Sequence, residues 1–304
     1  MEVLDLAHDY YGARVAMSSS DQMIRVYNEQ GCKTAEWKAH LGSIWRVVWA
    51  HPEFGSVIGS CSFDRKVCIW EELADAEEVG TQPKGGWRLQ AELQEARDTV
   101  HDLKFAPKHL GLRLASASAD KFVRVYEAAD IMDLSSWELT QQFEPDGAKH
   151  APQCVAWCPS AASPMTLVVG MADGAVLIWR FSDKANAWQN ALALEAAELS
   201  RPRMAHLDCV HDVSWAADVG RSYHLIATAS RDKSAKLWHL KESDLGDSLH
   251  ATCACELAHS SQVWRVEWNV CGSLLAASVD EGRVHVYKLD AKGEWSRAWS
   301  THPK

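Results

Sequence analysis

Ser62-Phe63-Asp64-Arg65-Lys66-Val67-Cys68-Ile69-Trp70 joins two short strands through a polar turn carrying Asp64, and the second strand closes on an aromatic six places after that Asp. The same interval returns from Asp21 to Tyr27, Asp120 to Tyr126, Asp173 to Trp179 and Asp232 to Trp238. A sixth copy ends at Tyr287, where Glu281 stands six places back with Asp280 beside it. The closing aromatics lie 43, 56, 53, 59 and 49 residues apart, and periods of this size mark a repeated supersecondary unit.

Upstream of the turns lie apolar patterns rich in β-branched and aromatic residues: Ile44 to Trp49, Val100 to Phe105, Val210 to Trp215 and Val263 to Trp268. Weaker versions run from Val3 to His8 and from Gln153 to Trp157. A further strand follows each closing aromatic: Cys32 to Trp37, Trp87 to Leu93, Trp137 to Phe143, Trp188 to Leu194, Cys253 to Leu257 and Trp295 to Trp299. Six units of four strands predict an all-β chain, a WD-repeat β-propeller forming one domain over residues 1–304. The expected blades are approximately 1–38, 39–94, 95–144, 145–196, 197–258 and 259–301. The connections 71–86 and 241–251, rich in acid, Gly and Ser, read as exposed loops.

Composition bounds the function. Of the 304 residues 47% are hydrophobic and 15 are Trp, with no apolar run long enough to span a bilayer, so a soluble protein without membrane insertion is expected. The acidic start, Met1-Glu2-Val3-Leu4-Asp5-Leu6, is unlike a secretory signal and predicts synthesis in the cytosol. Nine unevenly spaced cysteines fit a reducing compartment and core packing rather than a disulfide framework. A formal net charge of −10 opposes direct nucleic-acid binding.

Three units place a His nine residues before the aromatic ending the inner strand: His40, His206 and His259. In a WD-repeat blade such a His meets the turn Asp, a nearby Ser or Thr and the closing Trp in a hydrogen-bonded lock. The expected sets are His40, Ser62, Asp64, Trp70 and His206, Ser230, Asp232, Trp238. The structural turn residues are accordingly Asp21, Asp64, Asp120, Asp173 and Asp232. An Asp with a His and a Ser also invites a catalytic reading, but its recurrence in several blades argues for structure, since a triad is one geometry and not a set of copies. His150, Cys154 and Cys158 offer only three candidate zinc ligands, and core packing is the better reading of the cysteines. No catalytic residue, metal or cofactor is expected. On the inner strands, acid and base alternate through Asp5, Arg46 and Asp102 and again through Asp212 and Arg265, either as ionic networks stitching blades or as solvated charges.

A propeller closes when one terminus lends a strand to the blade of the other. Here the first strand begins near Met1 and the sixth unit owns its fourth strand, so an open ring is expected, against the alternative of a six-blade ring whose ends abut. Unpaired edges favour a partner that supplies strands.

The run His40-Leu-Gly-Ser-Ile-Trp-Arg-Val-Val-Trp-Ala-His-Pro-Glu-Phe-Gly55, followed by Ser60-Cys-Ser-Phe-Asp-Arg-Lys66, closely resembles the Sec-thirteen-like propellers. The stretches Ala106-Pro-Lys-His-Leu-Gly111, Val210-His-Asp-Val213, Gly220-Arg-Ser222 and Ser261-Gln-Val-Trp-Arg-Val266 resemble the nucleoporin branch of that family, and the similarity covers nearly the whole chain. The resemblance implies a non-enzymatic scaffold in the Y-shaped outer-ring complex of the nuclear pore, at the nuclear envelope, completed by a blade from an α-solenoid nucleoporin and bound to other Y-complex subunits. It also implies a second setting, in the cytosol and at the vacuole or lysosome surface, with a solenoid subunit of a TOR-regulating complex. Partner contacts are then expected at Val3, Leu4 and Leu6 and at Trp264, Trp268, Trp295 and Trp299. Rival readings are a vesicle-coat propeller subunit and a peptide-binding WD-repeat adaptor.

Overall fold

A computed structural model describes residues 2–73, 86–147, 149–196, 204–243, 248–290 and 293–301. Its strands divide between two compact units, Met1–Glu144 and Pro145–Lys304. The first unit holds three four-stranded sheets. Blade one is β1 (Val3–His8), β2 (Arg14–Ser19), β3 (Met23–Asn28) and β4 (Lys33–Lys38). Blade two is β5 (Ile44–Trp49), β6 (Val57–Ser62), β7 (Val67–Glu72) and β8 (Trp87–Leu93), and blade three is β9 (Val100–Phe105), β10 (Arg113–Ser118), β11 (Val123–Ala128) and β12 (Trp137–Phe143).

The second unit repeats the plan. Blade four is β13 (Pro152–Trp157), β14 (Thr166–Met171), β15 (Val176–Ser182) and β16 (Ala187–Ala193). Blade five is β17 (Val210–Trp215), β18 (His224–Ser230), β19 (Ser234–Glu242) and β20 (Leu249–Ala258), and blade six is β21 (Val263–Trp268), β22 (Leu274–Val279), β23 (Arg283–Leu289) and β24 (Trp295–Ser300). Every sheet is built from four consecutive strands in chain order, so the chain has the six four-stranded blades of an all-β propeller. No helix among the described residues is long and apolar enough to cross a membrane.

Each blade is a short sheet that cannot bury both faces alone, and within each unit neighbours supply the missing surface. Ile24, Val26 and Trp37 of blade one pack with Ile44, Val47, Ile58 and Trp70 of blade two. Ile69 and Leu93 of blade two meet Leu103, Leu114 and Tyr126 of blade three. In the second unit Cys154, Cys158 and Ile178 join Val210, Ile226 and Trp238, and Ala229 and Leu257 join Val266, Leu275 and Tyr287. Cys154 and Cys158 are thus core side chains, and all nine cysteines are free thiols.

Two connections are shorter than the sequence suggests. Lys241 pairs with His250 and Glu242 with Leu249, so both ends of 241–251 extend a hairpin, and β20 begins four residues before Cys253. Glu71 and Glu72 likewise belong to β7, and the Leu73 amide donates to the Gly86 carbonyl at 2.9 Å. Alternation continues past the closing aromatic in both cases, and acidic composition misled because the outer strands face water. Residues 74–85 and 244–247 lie outside the described residues.

Charges stitch the inner strands. Arg46 on β5 is 3% exposed; its Nε lies 2.7 Å from Asp102 Oδ1 on β9 and its Nη1 3.5 Å from Asp5 Oδ1 on β1. Asp5 Oδ2 also accepts from the Val47 amide at 3.1 Å, so one guanidinium and two carboxylates connect three blades. In the second unit Asp212 Oδ2 accepts from the Val266 amide at 3.1 Å, bridging β17 and β21. Indoles make the same crossing: Trp49 Nε1 donates to Ala7 O at 3.0 Å, and Trp268 Nε1 to Ser214 O at 3.2 Å.

Replacing Arg46 by Met leaves two carboxylates in a buried site without their cation. The expected loss is about 3–5 kcal/mol, read from urea unfolding of the full chain, and unchanged stability would show that the network carries no load.

Candidate functional site

The turn between the second and third strands of a blade is one structure used repeatedly. Its Asp accepts the amide two residues on: Asp21 from Met23, Asp64 from Lys66, Asp120 from Phe122, Asp173 from Ala175 and Asp232 from Ser234, at 2.9–3.2 Å. The intervening residue is left-handed, with φ of 73° at Gln22, 71° at Arg65, 77° at Lys121 and 68° at Lys233. That conformation is strained for an ordinary side chain, and the side-chain hydrogen bond of the Asx turn holds it. At blade four the residue is Gly174, where φ is 98° and an added Cβ would lie 2.4 Å from the His206 carbonyl oxygen, so only Gly fits.

In blades two and five a buried imidazole anchors the turn. His40 Nδ1 lies 3.0 Å from Asp64 Oδ2, His40 Nε2 lies 2.8 Å from Ser60 Oγ, and Trp70 Nε1 donates to Ser60 Oγ at 3.0 Å. His206 repeats this with Asp232 at 2.9 Å and Thr228 at 2.7 Å, and Trp238 Nε1 donates to Thr228 Oγ1 at 3.1 Å. The assignment giving every proton an acceptor runs from indole to hydroxyl to Nε2 and from Nδ1–H to carboxylate, with a neutral ring; burial also depresses the His206 pKa. The hydroxyls are therefore Ser60 and Thr228, four places before the Asp, and not Ser62 and Ser230. Ser62 accepts from the Asp64 amide at 3.2 Å, and Ser230 donates to the Asp208 and Cys209 carbonyls at 3.0 Å. Residues two apart share a strand face, so the sequence offers both; the indole reaches only the one farther from the turn.

Blades one and three lack the His and use Arg instead. Arg25 Nη2 lies 2.8 Å from Asp21 Oδ2, with its Nε 2.7 Å from Glu36. Arg124, 2% exposed, grips both oxygens of Asp120 at 3.1 and 2.6 Å. The Arg stands four places after the Asp, and strand register sets it opposite the position four places before: Met17 against Arg25, Ser116 against Arg124. In blade two that partner is Cys68, small enough to leave room for the imidazole. An Arg at this offset is the signal in the sequence that marks such a blade. Where Tyr closes blade three, Tyr126 is a buried core side chain, and burial raises its hydroxyl pKa. In blade four Asp173 meets His150 at 3.2 Å, and His150 also meets Asp146 at 2.9 Å. These three are the metal-compatible grouping among the described residues, and Cys154 and Cys158 are not part of it. Their contacts to each other already account for the arrangement.

Blade six departs. Asp280–Gly282 form a 3-10 turn, and Asp280 accepts from Trp264 Nε1 at 2.6 Å. His259 finds the Tyr287 hydroxyl at 3.4 Å and lies against His285, with ring centroids 5.3 Å apart. Burial, then the neighbouring His285 and Arg297, lower its pKa to about 4.

The aromatics named as partner contacts separate. Trp299 is 59% exposed and Trp264 42%, the latter stacked on His211 with centroids 4.3 Å apart. Trp268 and Trp295 pack edge to face at 5.4 Å in the core between blades five and six. On β1, Leu6 is 58% and Val3 42% exposed, and Leu4 is half-buried.

A family profile described as "WD domain, G-beta repeat" matches residues 31–71, 200–239 and 251–288. The chain is 38% identical over 314 residues to nucleoporin SEH1 of Homo sapiens, a match covering 96% of this chain and 82% of that protein. It is 38% identical over 312 residues to nucleoporin SEH1-A of Xenopus laevis and over 310 residues to nucleoporin SEH1 of Danio rerio, with the same coverage.

Acid tests the turns. At Asp64 burial pushes the pKa up, but the hydrogen bonds from His40 and the Leu41 and Lys66 amides outweigh it and hold the carboxyl at about 2, below its ordinary 3.8. Asp21 is held at about 2, first by Arg25. A folded pKa below the unfolded one means stability that is complete above about 4 and lost as pH falls through about 2. Thermal unfolding measured across that window should show the loss, and D21N and D64N should flatten it.

Proposed function

The chain belongs to the SEH1 family of WD-repeat nucleoporins, and from that premise we propose that it is a non-enzymatic scaffold subunit of the nuclear pore's Y-shaped outer-ring complex, located at the nuclear envelope. The observation that carries the reading is identity of 38% to nucleoporins across 96% of the chain, which includes blades with no turn His as well as those with one. Its mechanism in this proposal is blade sharing: an α-solenoid nucleoporin supplies strands beside blade one and blade six, and other Y-complex subunits bind the assembly. Support comes from apolar side chains left in water on each of those two blades, Val3 and Leu6 on β1 and Trp264 and Trp299 on blade six, since large exposed apolar groups favour a partner. Leu4 on β1 is half-buried, and Trp268 and Trp295 pack in the core between blades five and six. The vacuolar TOR-regulating role implied by the same resemblance would use the same blades with a different solenoid protein.

Affinity purification of the tagged chain should recover a solenoid nucleoporin, and recovery of vesicle-coat proteins alone would overturn the pore reading. L6D and W299A, each on an exposed side chain, should reduce that recovery about tenfold or more while leaving the unfolding temperature unchanged. A solenoid protein from the TOR-regulating complex in the same eluate would separate the second role from the first.

A further inference from the structure

Blade six contains a cavity of about 330 Å³ between β23 and β24, lined by Arg283, His285, Arg297, Trp299, Ser300 and Thr301. This volume lies at the small end of ligand pockets. The chain as a whole carries a formal charge of −10, yet no Asp or Glu appears in this lining.

His285 is the observation that calls for a ligand. It is 6% exposed, and its Nδ1 is buried with no hydrogen-bond partner among the described residues. Buried polar atoms are nearly always paired, so such an exception calls for an absent partner. Register explains the unpaired nitrogen: His285 faces Ala277, whereas the matching pairs in blades two, three and five place Ser60, Ser116 and Thr228 at that position. No hydroxyl of the lock stands there.

The charge at the site is positive. Arg297 is exposed and makes no ion pair among the described residues, and its field lowers the pKa of both His259 and His285 after burial has acted on them. Ser300 pairs directly with His285 across the strands, which sets a hydroxyl beside the imidazole; its Oγ donates to the Thr301 carbonyl at 3.3 Å, a long bond that a ligand oxygen would replace, and Thr301 Oγ1 accepts from the Val284 amide at 2.8 Å, fixing the cavity's end. A guanidinium fork, an imidazole N–H and a hydroxyl are the donor set that recognises a tetrahedral oxyanion.

We propose that blade six binds a phosphate-type oxyanion, held by Arg297, His285 Nδ1–H and Ser300, either as the free ion or on a phosphorylated side chain. Trp299 at the rim gives the ligand's carbon skeleton an apolar surface.

The test is calorimetric titration of the full chain with inorganic phosphate at constant ionic strength against a chloride control. Saturable binding of one phosphate is expected. R297Q, on an exposed side chain, and H285F, which keeps the ring volume without the donor, should each weaken binding about tenfold or more, the loss of a charge-assisted hydrogen bond. Thermal unfolding of each variant checks the fold, and should H285F unfold, R297Q decides alone. A phosphoserine peptide and its unmodified counterpart distinguish the sources. Competition between phosphopeptide and phosphate assigns the site to a modified protein, and binding of phosphate alone assigns it to the free ion. Absence of saturable phosphate binding, or equal affinity in wild type and R297Q, would overturn the proposal.

Discussion

In blades two, three and five the carboxylate in the turn between the second and third strands is the contact on which the blade depends, because it holds three separate pieces of chain at once. One oxygen accepts the amide two residues on and makes the left-handed turn affordable. The other reaches the segment entering the blade, taking the Leu41 amide onto Asp64, Arg97 onto Asp120 and Leu207 onto Asp232. A lock side chain then grips the same carboxylate from the face that packs on the neighbouring blade. Since a slip of one residue would turn every buried side chain toward water, pinning the hairpin at its turn fixes which face is core.

Two locks satisfy that carboxylate, and they differ in what the rest of the blade must supply. Imidazole is neutral and needs a hydroxyl and an indole behind it, so Ser60 with Trp70 and Thr228 with Trp238 accompany His40 and His206. Guanidinium brings its own charge and reaches from within the hairpin, so blades one and three close on Tyr without an indole donor. Much of this was legible in the sequence. The Asp-to-aromatic interval and the alternation of Ile44 to Trp49 or Val263 to Trp268 are local properties, and they placed the strands and the number of blades. What was less legible involved two strands at once. Choosing Ser60 over Ser62 requires the reach of an indole across the hairpin, and seeing Arg124 as the substitute for a His requires the pairing of Ser116 with Arg124. Trp268 showed the same difficulty, because nothing in its own strand announces that its N–H crosses to Ser214 of the preceding blade.

Blade six carries none of these solutions intact. Its turn is a 3-10 segment, Asp280 is bound to Trp264, and its two histidines lie against one another beside Arg297. In blades one and three the Arg at the matching position holds the turn carboxylate, whereas here His285 keeps a buried ring nitrogen unpaired among the described residues. Positions that escape the structural pattern are available for recognition, and this is why the cavity and the exposed Trp299 occur on the same blade.

The lock also shows why its carboxylate, imidazole and hydroxyl do not make a nucleophilic site. Asp64, His40 and Ser60 are connected as a nucleophilic triad is connected, carboxylate to Nδ1 and Nε2 to hydroxyl, at 3.0 and 2.8 Å. Ser60 is nevertheless fully buried and accepts the Trp70 indole proton on the oxygen that would have to attack. A nucleophile needs an open approach to a lone pair and donors placed for the developing oxyanion, and this oxygen is buried with the indole proton already on it. Thr228 is occupied in the same way by Trp238. The connectivity that activates a hydroxyl when the site is open instead fixes it when an indole closes the site, so identical residue types yield a rigid turn, and rigid turns are what a scaffold must present to its partners.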